Sequence, residues 1–293
     1  MTVDLCGIEL QHPVINGSGT YDAIAARQVF GDKLLERFPF AAFVSKTITP
    51  EPRPGNPPPR IWEEPAGMVN SIGLPNKGLD GFLSENLPLL AELPVPLIVS
   101  VMATSRDEFA RMVESVAARD EVAALELNVS CPNVESGLTV GESPEEAAAL
   151  MAVLRPLTEK PLVVKLTPNV DPVPVGLAAE EAGADALSLI NTLRSAPVHP
   201  DTGEPWLGGG SGGLSGSAVR ATALEQVTAM AAAATVPVIG MGGIETAAHA
   251  TQMLEAGARV VAVGTESFRD PLAGARIAAE LPDRYTNFLS QSR

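Results

Sequence analysis

The sequence predicts a (β/α)8 TIM barrel, one domain over residues 1–293, with an N-terminal β-hairpin and inserted loops. Three observations predict it. Eight apolar runs of three to six residues alternate with helix-patterned segments, the pattern of a parallel sheet wrapped by helices. Lysine, asparagine or glycine follows most of these runs, so polar groups gather at one end of the sheet. The turn after the first core run, Asn16-Gly-Ser-Gly-Thr-Tyr21, does not complete the Gly-x-Gly-x-x-Gly of a doubly wound dinucleotide fold.

Residues 3–5 and 8–10, split by Cys6-Gly7, read as a hairpin capping one end of the barrel. Residues 13–15 are the first core strand, and 41–45 the second, ending in Lys46-Thr47. Two insertions follow. The proline-rich stretch Pro50-Glu-Pro-Arg-Pro-Gly-Asn-Pro-Pro-Pro-Arg60 is too rigid for a helix and reads as an ordered excursion. Gly67-Met-Val-Asn-Ser-Ile-Gly-Leu-Pro-Asn76 is rich in glycine and asparagine. Residues 97–101 are the third strand and carry Ser100. From Ser105 the spacing of Phe109, Met112, Val113 and Val116 gives an amphipathic helix, with Asp107 and Glu108 in its first turn. Residues 122–127 are the fourth strand. Ser143-Pro-Glu-Glu146 is a helix start, serine as cap and proline at the first position.

Residues 162–164 are the fifth strand, ending in Lys165, and 175–181 a helix stopped by Gly183. Residues 186–190 are the sixth strand, ending in Asn191-Thr192. A long loop runs over 193–217. Its glycine tract, Leu207-Gly-Gly-Gly-Ser-Gly-Gly-Leu-Ser-Gly216, is expected to be a mobile protrusion, because such tracts are ordinarily only flexible. Helix 218–234 follows, then the seventh strand, 237–239, ending in Gly240-Met-Gly-Gly-Ile244. Helix 246–256 and the eighth strand, 260–263, ending in Gly264-Thr265, complete the pattern.

The net charge of −15 argues against nucleic acid or an anionic membrane as partner, since both need a basic face. Two cysteines are too few for a disulfide framework, so a reduced, cytoplasmic setting is expected. Three scattered histidines give no zinc-site spacing, and no metal is expected. No signal peptide or run of about 18 apolar residues is visible, so nothing is expected to cross a membrane.

The strand ends collect the chemistry. Leu125-Glu-Leu-Asn-Val-Ser-Cys-Pro-Asn133 begins as a strand and breaks into a loop, where Pro132 biases Cys131 toward an extended backbone. A thiol therefore stands at the mouth of a parallel sheet between two carboxamides. A lone cysteine is ordinarily a small buried apolar residue; its place at a strand's carboxyl end favours chemistry. Two lysines, Lys46 and Lys165, also end apolar runs, against lysine's preference for solvated faces. The glycine turns after the seventh and eighth strands leave backbone N–H groups free to approach an anion, which suits the phosphate site of a barrel. The pocket so described offers a phosphate cradle, two lysines, the thiol, and the carboxamides Asn70, Asn128, Asn133 and Asn191, with no metal ligands and no acidic general base lining it. Carboxamides both donate and accept, so they match an alternating C=O and N–H edge such as a pyrimidine's. A phosphorylated cofactor beside a proton-abstracting thiol points to flavin redox chemistry.

Asn128-Val-Ser-Cys-Pro-Asn133, Ser45-Lys-Thr47, Glu51-Pro-Arg-Pro-Gly-Asn-Pro-Pro-Pro-Arg60, Asn70-Ser-Ile-Gly-Leu-Pro-Asn76, Asn191-Thr192, Gly213-Leu-Ser-Gly216 and Gly240-Met-Gly-Gly-Ile244 occur in this order over nearly the whole chain. Together they resemble the class 1 dihydroorotate dehydrogenases, closest to the class 1B catalytic subunit. The resemblance implies oxidation of (S)-dihydroorotate to orotate in de novo pyrimidine (UMP) biosynthesis, with FMN as hydride acceptor. It implies Cys131 as the base at C5. Lys46, Asn70, Ser71, Ile72, Gly73, Leu74, Asn128, Asn133, Asn191 and Thr192 would hold the substrate. Ser18, Lys46, Thr47, Ser100, Asn128, Lys165, Ile190, Gly216, Gly242, Gly243, Gly264 and Thr265 would bind FMN, with Lys165 near the flavin N1 edge. Ser100 stands where the family usually has asparagine, and its hydroxyl has shorter reach. Asn16-Gly-Ser stands where Pro-Ala-Ser is more usual.

Class 1B membership implies an electron-transfer subunit carrying FAD and a 2Fe–2S cluster that passes electrons to NAD; two cysteines cannot ligate a cluster in this chain. A homodimer is expected. The alternatives are a fumarate-dependent class 1A homodimer, a dihydropyrimidine-type dehydrogenase domain, a flavin-free barrel lyase or isomerase acting on a sugar phosphate, and a non-catalytic flavin-binding scaffold subunit. The membrane class, with a serine base and an N-terminal extension, does not match Cys131.

Overall fold

In the computed structural model, which describes residues 2–130 and 140–286, the chain opens with the expected antiparallel hairpin, β1 (Val3–Leu5) and β2 (Ile8–Leu10). Next come β3 (Val14–Asn16) and, after helix α1 (Ala23–Phe30), β4 (Phe43–Val44). The two stretches after β4, which form one first insertion, supply β5 (Ile61–Glu64) and β6 (Gly67–Asn70). Strands β7 (Leu97–Val101), β8 (Val122–Asn128), β9 (Leu162–Lys165) and β10 (Ala186–Leu189) alternate with α2 (Arg106–Ala117), α3 (Pro144–Leu154) and α4 (Pro172–Glu181). The long loop over 193–217 is a second insertion and supplies β11 (Leu193–Ser195) and β12 (Gly212–Ser215). After α5 (Arg220–Ala233) come β13 (Val238–Met241), α6 (Ala247–Glu255), β14 (Val260–Val263), α7 (Glu266–Arg269) and α8 (Ala273–Ala279).

Eight of these strands form one parallel sheet in the order β3-β14-β13-β10-β9-β8-β7-β4, a nearly closed barrel. Its seam lies between β3 and β4, which share no strand ladder. Ala41 N–H donates to Val14 O at 2.9 Å there. The Asn16 amide completes the seam: its Nδ2 donates to Val44 O at 2.8 Å and its Oδ1 accepts from Val44 N–H at 2.9 Å. A side-chain amide thus supplies the donor and acceptor that a further strand residue would have offered. Asn16, read from sequence as part of a turn, is a fully buried strand residue.

The hairpin plugs the amino-terminal end of the barrel. Leu5 and Leu10 pack in one cluster with the inward-facing Ile15, Val44, Ile98, Ala124, Val163 and Ile239. The helices cover the outside through a larger apolar cluster. Helix α2 buries Phe109, Met112, Val113 and Val116, the expected face, and starts on a reciprocal capping box between Ser105 and Glu108. Ser143 and Thr246 cap α3 and α6.

The glycine tract is not a mobile protrusion. Gly212–Ser215 is β12, in a four-stranded antiparallel sheet of order β11-β12-β6-β5. Its glycines serve close packing. A Cβ on Gly213 would lie 1.9 Å from Thr192 Oγ1, and one on Gly212 would lie 2.3 Å from Asn70 O. The two insertions, distant in sequence, pair with each other and build one wall above the barrel mouth.

Candidate active site

A cavity of about 960 Å³ opens at the carboxyl ends of the barrel strands. That lies at the upper end of the ~300–1,000 Å³ typical of small-molecule sites. Barrel strands and the turns after them bring Ser18, Lys46, Thr47, Asn128 and Lys165 to its wall. Ile190, Asn191 and Thr192 join them after β10. The insertions add Asn70, Ile72, Gly73 and Leu74. Gly216, Gly242, Gly243, Gly264 and Thr265 line one side. Ser71 and Ser100 lie off the wall. Ser71 is buried and accepts from Asn56 Nδ2 at 2.9 Å. Ser100 is fully buried, 2.9 Å from Thr47 Oγ1. Cys131 and Asn133 lie outside the described residues.

Lys165 is buried and donates to Ser18 Oγ at 2.8 Å. Lys46 is open to the cavity. Burial among the cavity walls pulls its ammonium below the ordinary lysine range; Asp22 opposes this shift and Arg60 adds to it. Asn70 Nδ2 donates to Gly213 O at 3.3 Å, tying the two insertions together. Asn191 Nδ2 donates to Ser130 Oγ at 2.8 Å, and its Oδ1 accepts from Thr192 N–H at 2.8 Å.

The glycine side suits a phosphate. A Cβ on Gly243 would lie 2.5 Å from Arg220 Cβ, so the turn after β13 is seated on the first residue of α5. No side chain caps the short 3-10 turn Ser217–Val219 or α5, and uncapped helix starts leave N–H groups for an anion. A Cβ on Gly264 would meet only Thr20 Cγ2, at 3.6 Å, so the space beside that backbone is open. On another part of the wall Tyr21 Oη is buried with no hydrogen-bond partner among the described residues. A flat, phosphorylated cofactor such as FMN fits this set: an anion cradle at one end, a cation and carboxamides at the other.

Besides Ser71 and Ser100, the cavity departs from the sequence expectation in its charge, because carboxylates do line it. Asp22, Glu245 and Glu266 are on the wall. Two of them have structural partners. Asp22 caps α1 through Ala25 N–H at 3.0 Å, and Glu266 pairs with Arg276 at 3.0 Å. Arg276 also donates to Asp270 Oδ2 at 3.0 Å and to Glu245 O at 3.2 Å, so it fastens the turn after β13 to the helix after β14. Sequence reasoning passed over Arg276, which looks like an ordinary helix-surface cation. Nor does it give a role to Asn76, whose side chain ties the first insertion to Thr49 Oγ1 at 2.8 Å and to Gly78 N–H at 2.8 Å. Glu126 was missed too, although a charge inside the apolar run of β8 was a visible signal.

The one cysteine among the described residues, Cys6, sits in the hairpin. Its thiol donates to Asp185 O at 3.1 Å and is pushed up to about 11, first by burial and then by Asp185 and Asp4. No described helix is long and apolar enough to cross a membrane.

The dihydroorotate dehydrogenase family model matches residues 1–285. The chain belongs to the dihydroorotate dehydrogenase family. It is 44% identical over 281 residues to the dihydroorotate dehydrogenase B (NAD(+)) catalytic subunit of Pelobacter propionicus, covering 95% of this chain and 91% of that one. The Desulforudis audaxviator protein of the same name is 43% identical over 289 residues, covering 97% and 92%. The crystal structure of DHODH in complex with ferulenol from Eimeria tenella matches with a TM-score of 0.77 at 24% identity, covering 95% of this chain and 82% of that one. At that identity it speaks for the barrel fold alone.

Proposed function

We propose that the chain is the catalytic subunit of an NAD-linked dihydroorotate dehydrogenase and oxidises (S)-dihydroorotate to orotate. The observation that carries this reading is the convergence, at one barrel mouth, of the glycine cradle, Lys165 and the carboxamides of Asn70, Asn128 and Asn191. Relatives over 40% identical bearing that enzyme name support it.

The cradle of Gly216, Gly242, Gly243, Gly264 and Thr265 is the proposed seat of the FMN phosphate. When bound, FMN supplies the two-electron acceptor for the hydride leaving C6. The carboxamides and Lys46 hold the dihydropyrimidine ring by its alternating donors and acceptors and by its carboxylate. The C5 proton is acidic because it lies beside a carbonyl, and Cys131 is the base proposed to take it. With C5–H lost as a proton and C6–H as hydride, the C5=C6 bond of orotate forms. A free thiol titrates near about 8.5, so the rate rises with pH unless the site favours the thiolate. Lys165 would place its ammonium beside the bound cofactor, where it would favour added negative charge.

Electrons are proposed to reach NAD through a partner subunit carrying FAD and a 2Fe–2S cluster. A homodimeric, cytoplasmic assembly is part of the same reading. The test is anaerobic addition of dihydroorotate to the FMN-loaded protein. The yellow flavin absorbance is expected to bleach with dihydroorotate and not with dihydrouracil; the opposite preference would identify a dihydropyrimidine-type enzyme. Reoxidation by fumarate without a second chain would replace the NAD-linked assignment. Cys131→Ala is expected to slow bleaching by at least a hundredfold, the usual worth of general base catalysis. Cys131→Ser is expected to recover part of the rate only at high pH. Undiminished bleaching in Cys131→Ala would remove the thiol from the mechanism.

A further inference from the structure

One layer of the barrel interior, beneath the cavity, is polar. Ile98, Ala124, Val163 and Ala186 face one another in the apolar layer. Two residues on, where the strand period returns to the same face, stand Ser100, Glu126, Lys165 and Ser188. All four are at most 5% exposed. Glu126 Oε1 accepts from Ser100 Oγ at 3.0 Å, and its Oε2 accepts from Ser188 Oγ at 3.3 Å. Lys165 Nζ lies 3.8 Å from Oε1. Burying such a pair strips water from both ions and brings little net stability. Stability is therefore a weak reason for this layer to be ionic.

A carboxylate only accepts hydrogen bonds, and that sets the direction of the row attached to it. Ser100 gives its proton to Glu126. Thr47, 2.9 Å away, must then donate to Ser100, and its lone pair takes the Asn128 Nδ2–H at 3.0 Å. The Asn128 amide is thereby fixed with nitrogen toward Thr47 and oxygen toward Ser130, whose hydroxyl donates to it at 3.2 Å. Ser130 Oγ in turn accepts from Asn191 Nδ2. The two amides proposed to read the heterocycle hang from one row that starts at Glu126.

We propose that Glu126 is a positioning residue of this site: it polarises the buried row that orients the Asn128 and Asn191 amides, and its charge holds the Lys165 ammonium at the cavity floor. This rests on the FMN and dihydroorotate reading above. Ser100 is the link, because its single proton carries the direction from the carboxylate to Thr47.

The test compares FMN-loaded wild type, Glu126→Gln and Ser100→Ala, reading the flavin midpoint potential and the dissociation constant for orotate. Glu126→Gln is expected to move the potential to more positive values, because a negative charge that opposed electron uptake is gone. It is also expected to weaken orotate about tenfold or more, since a carboxamide donates as well as accepts and the row loses its direction. Ser100→Ala cuts the row and keeps the ion pair, so orotate weakens by a similar factor while the potential stays. A merely structural role would lower the unfolding midpoint and leave both readouts unmoved in the folded protein. An unchanged potential in Glu126→Gln, or unchanged orotate affinity in Ser100→Ala, overturns the proposal. The second result stands even if Glu126→Gln fails to fold. Wild type that takes up FMN but binds no orotate sinks the dihydroorotate reading, while the potential still decides the electrostatic part. A chain that takes up no FMN overturns both.

Discussion

His12 is 8% exposed at the start of the first barrel strand, and its Nδ1 accepts from Val14 N–H at 3.3 Å. Burial pushes its imidazolium down to about 4, and no carboxylate offsets that shift. The folded state therefore holds this ring neutral, while the unfolded chain protonates it near about 6.5. The stability it contributes is present above about 6.5 and is lost as pH falls toward 4. The loss is roughly 3 kcal/mol at most, from about 1.4 kcal/mol per pKa unit. Urea unfolding at pH 7 and pH 4.5 is expected to give a smaller difference for His12→Gln than for wild type; equal differences would show that other groups set the acid limit. Glu126 illustrates a different single-residue question. Its charge is visible in the run Val122–Asn128, yet its meaning depends on Ser100, Ser188 and Lys165, which lie on three other strands.

At the scale of elements, the informative case is β12. Glycine repetition carries no hydrophobic period, so sequence reasoning sees flexibility. The structure uses the missing Cβ atoms as clearance: β12 pairs with β6 while Thr192 presses on Gly213. Gly213→Ala is expected to strain this wall by about 1–3 kcal/mol, the usual range for overpacking. Because Asn70 is tied to Gly213 O, orotate affinity is expected to fall about tenfold or more, read by its perturbation of the flavin spectrum. Wild-type affinity in Gly213→Ala would mean that the wall tolerates the methyl without moving Asn70. The capped helices went the other way. Ser105, Ser143 and Thr246 announce their helix starts in the sequence because a cap is a local interaction over three residues.

At the scale of the molecule, the barrel seam closes through one backbone bond, Ala41 N–H to Val14 O, and the amide of Asn16. Asn16 spans the seam between β3 and β4 with both ends of its amide. Asn16→Ala would leave the Val44 N–H and C=O without these partners in a dry interior, at about 1–3 kcal/mol each. A drop of about 2–6 kcal/mol in denaturant unfolding, with an unchanged slope, is the expected outcome. A midpoint equal to wild type would show that the seam closes by other means. The alternation of apolar runs with amphipathic helices, and the lysines, asparagines and glycines after those runs, determined the barrel and the end that carries the site. Both are local patterns of period and position, which a sequence displays directly. Only the tertiary structure decided that the two insertions pair into one wall, that Asn16 shuts the seam, and that a carboxylate on β8 sets the direction of a hydrogen-bond row ending at Asn128. Each of these joins residues dozens to more than a hundred positions apart, and no one-dimensional period encodes such contacts.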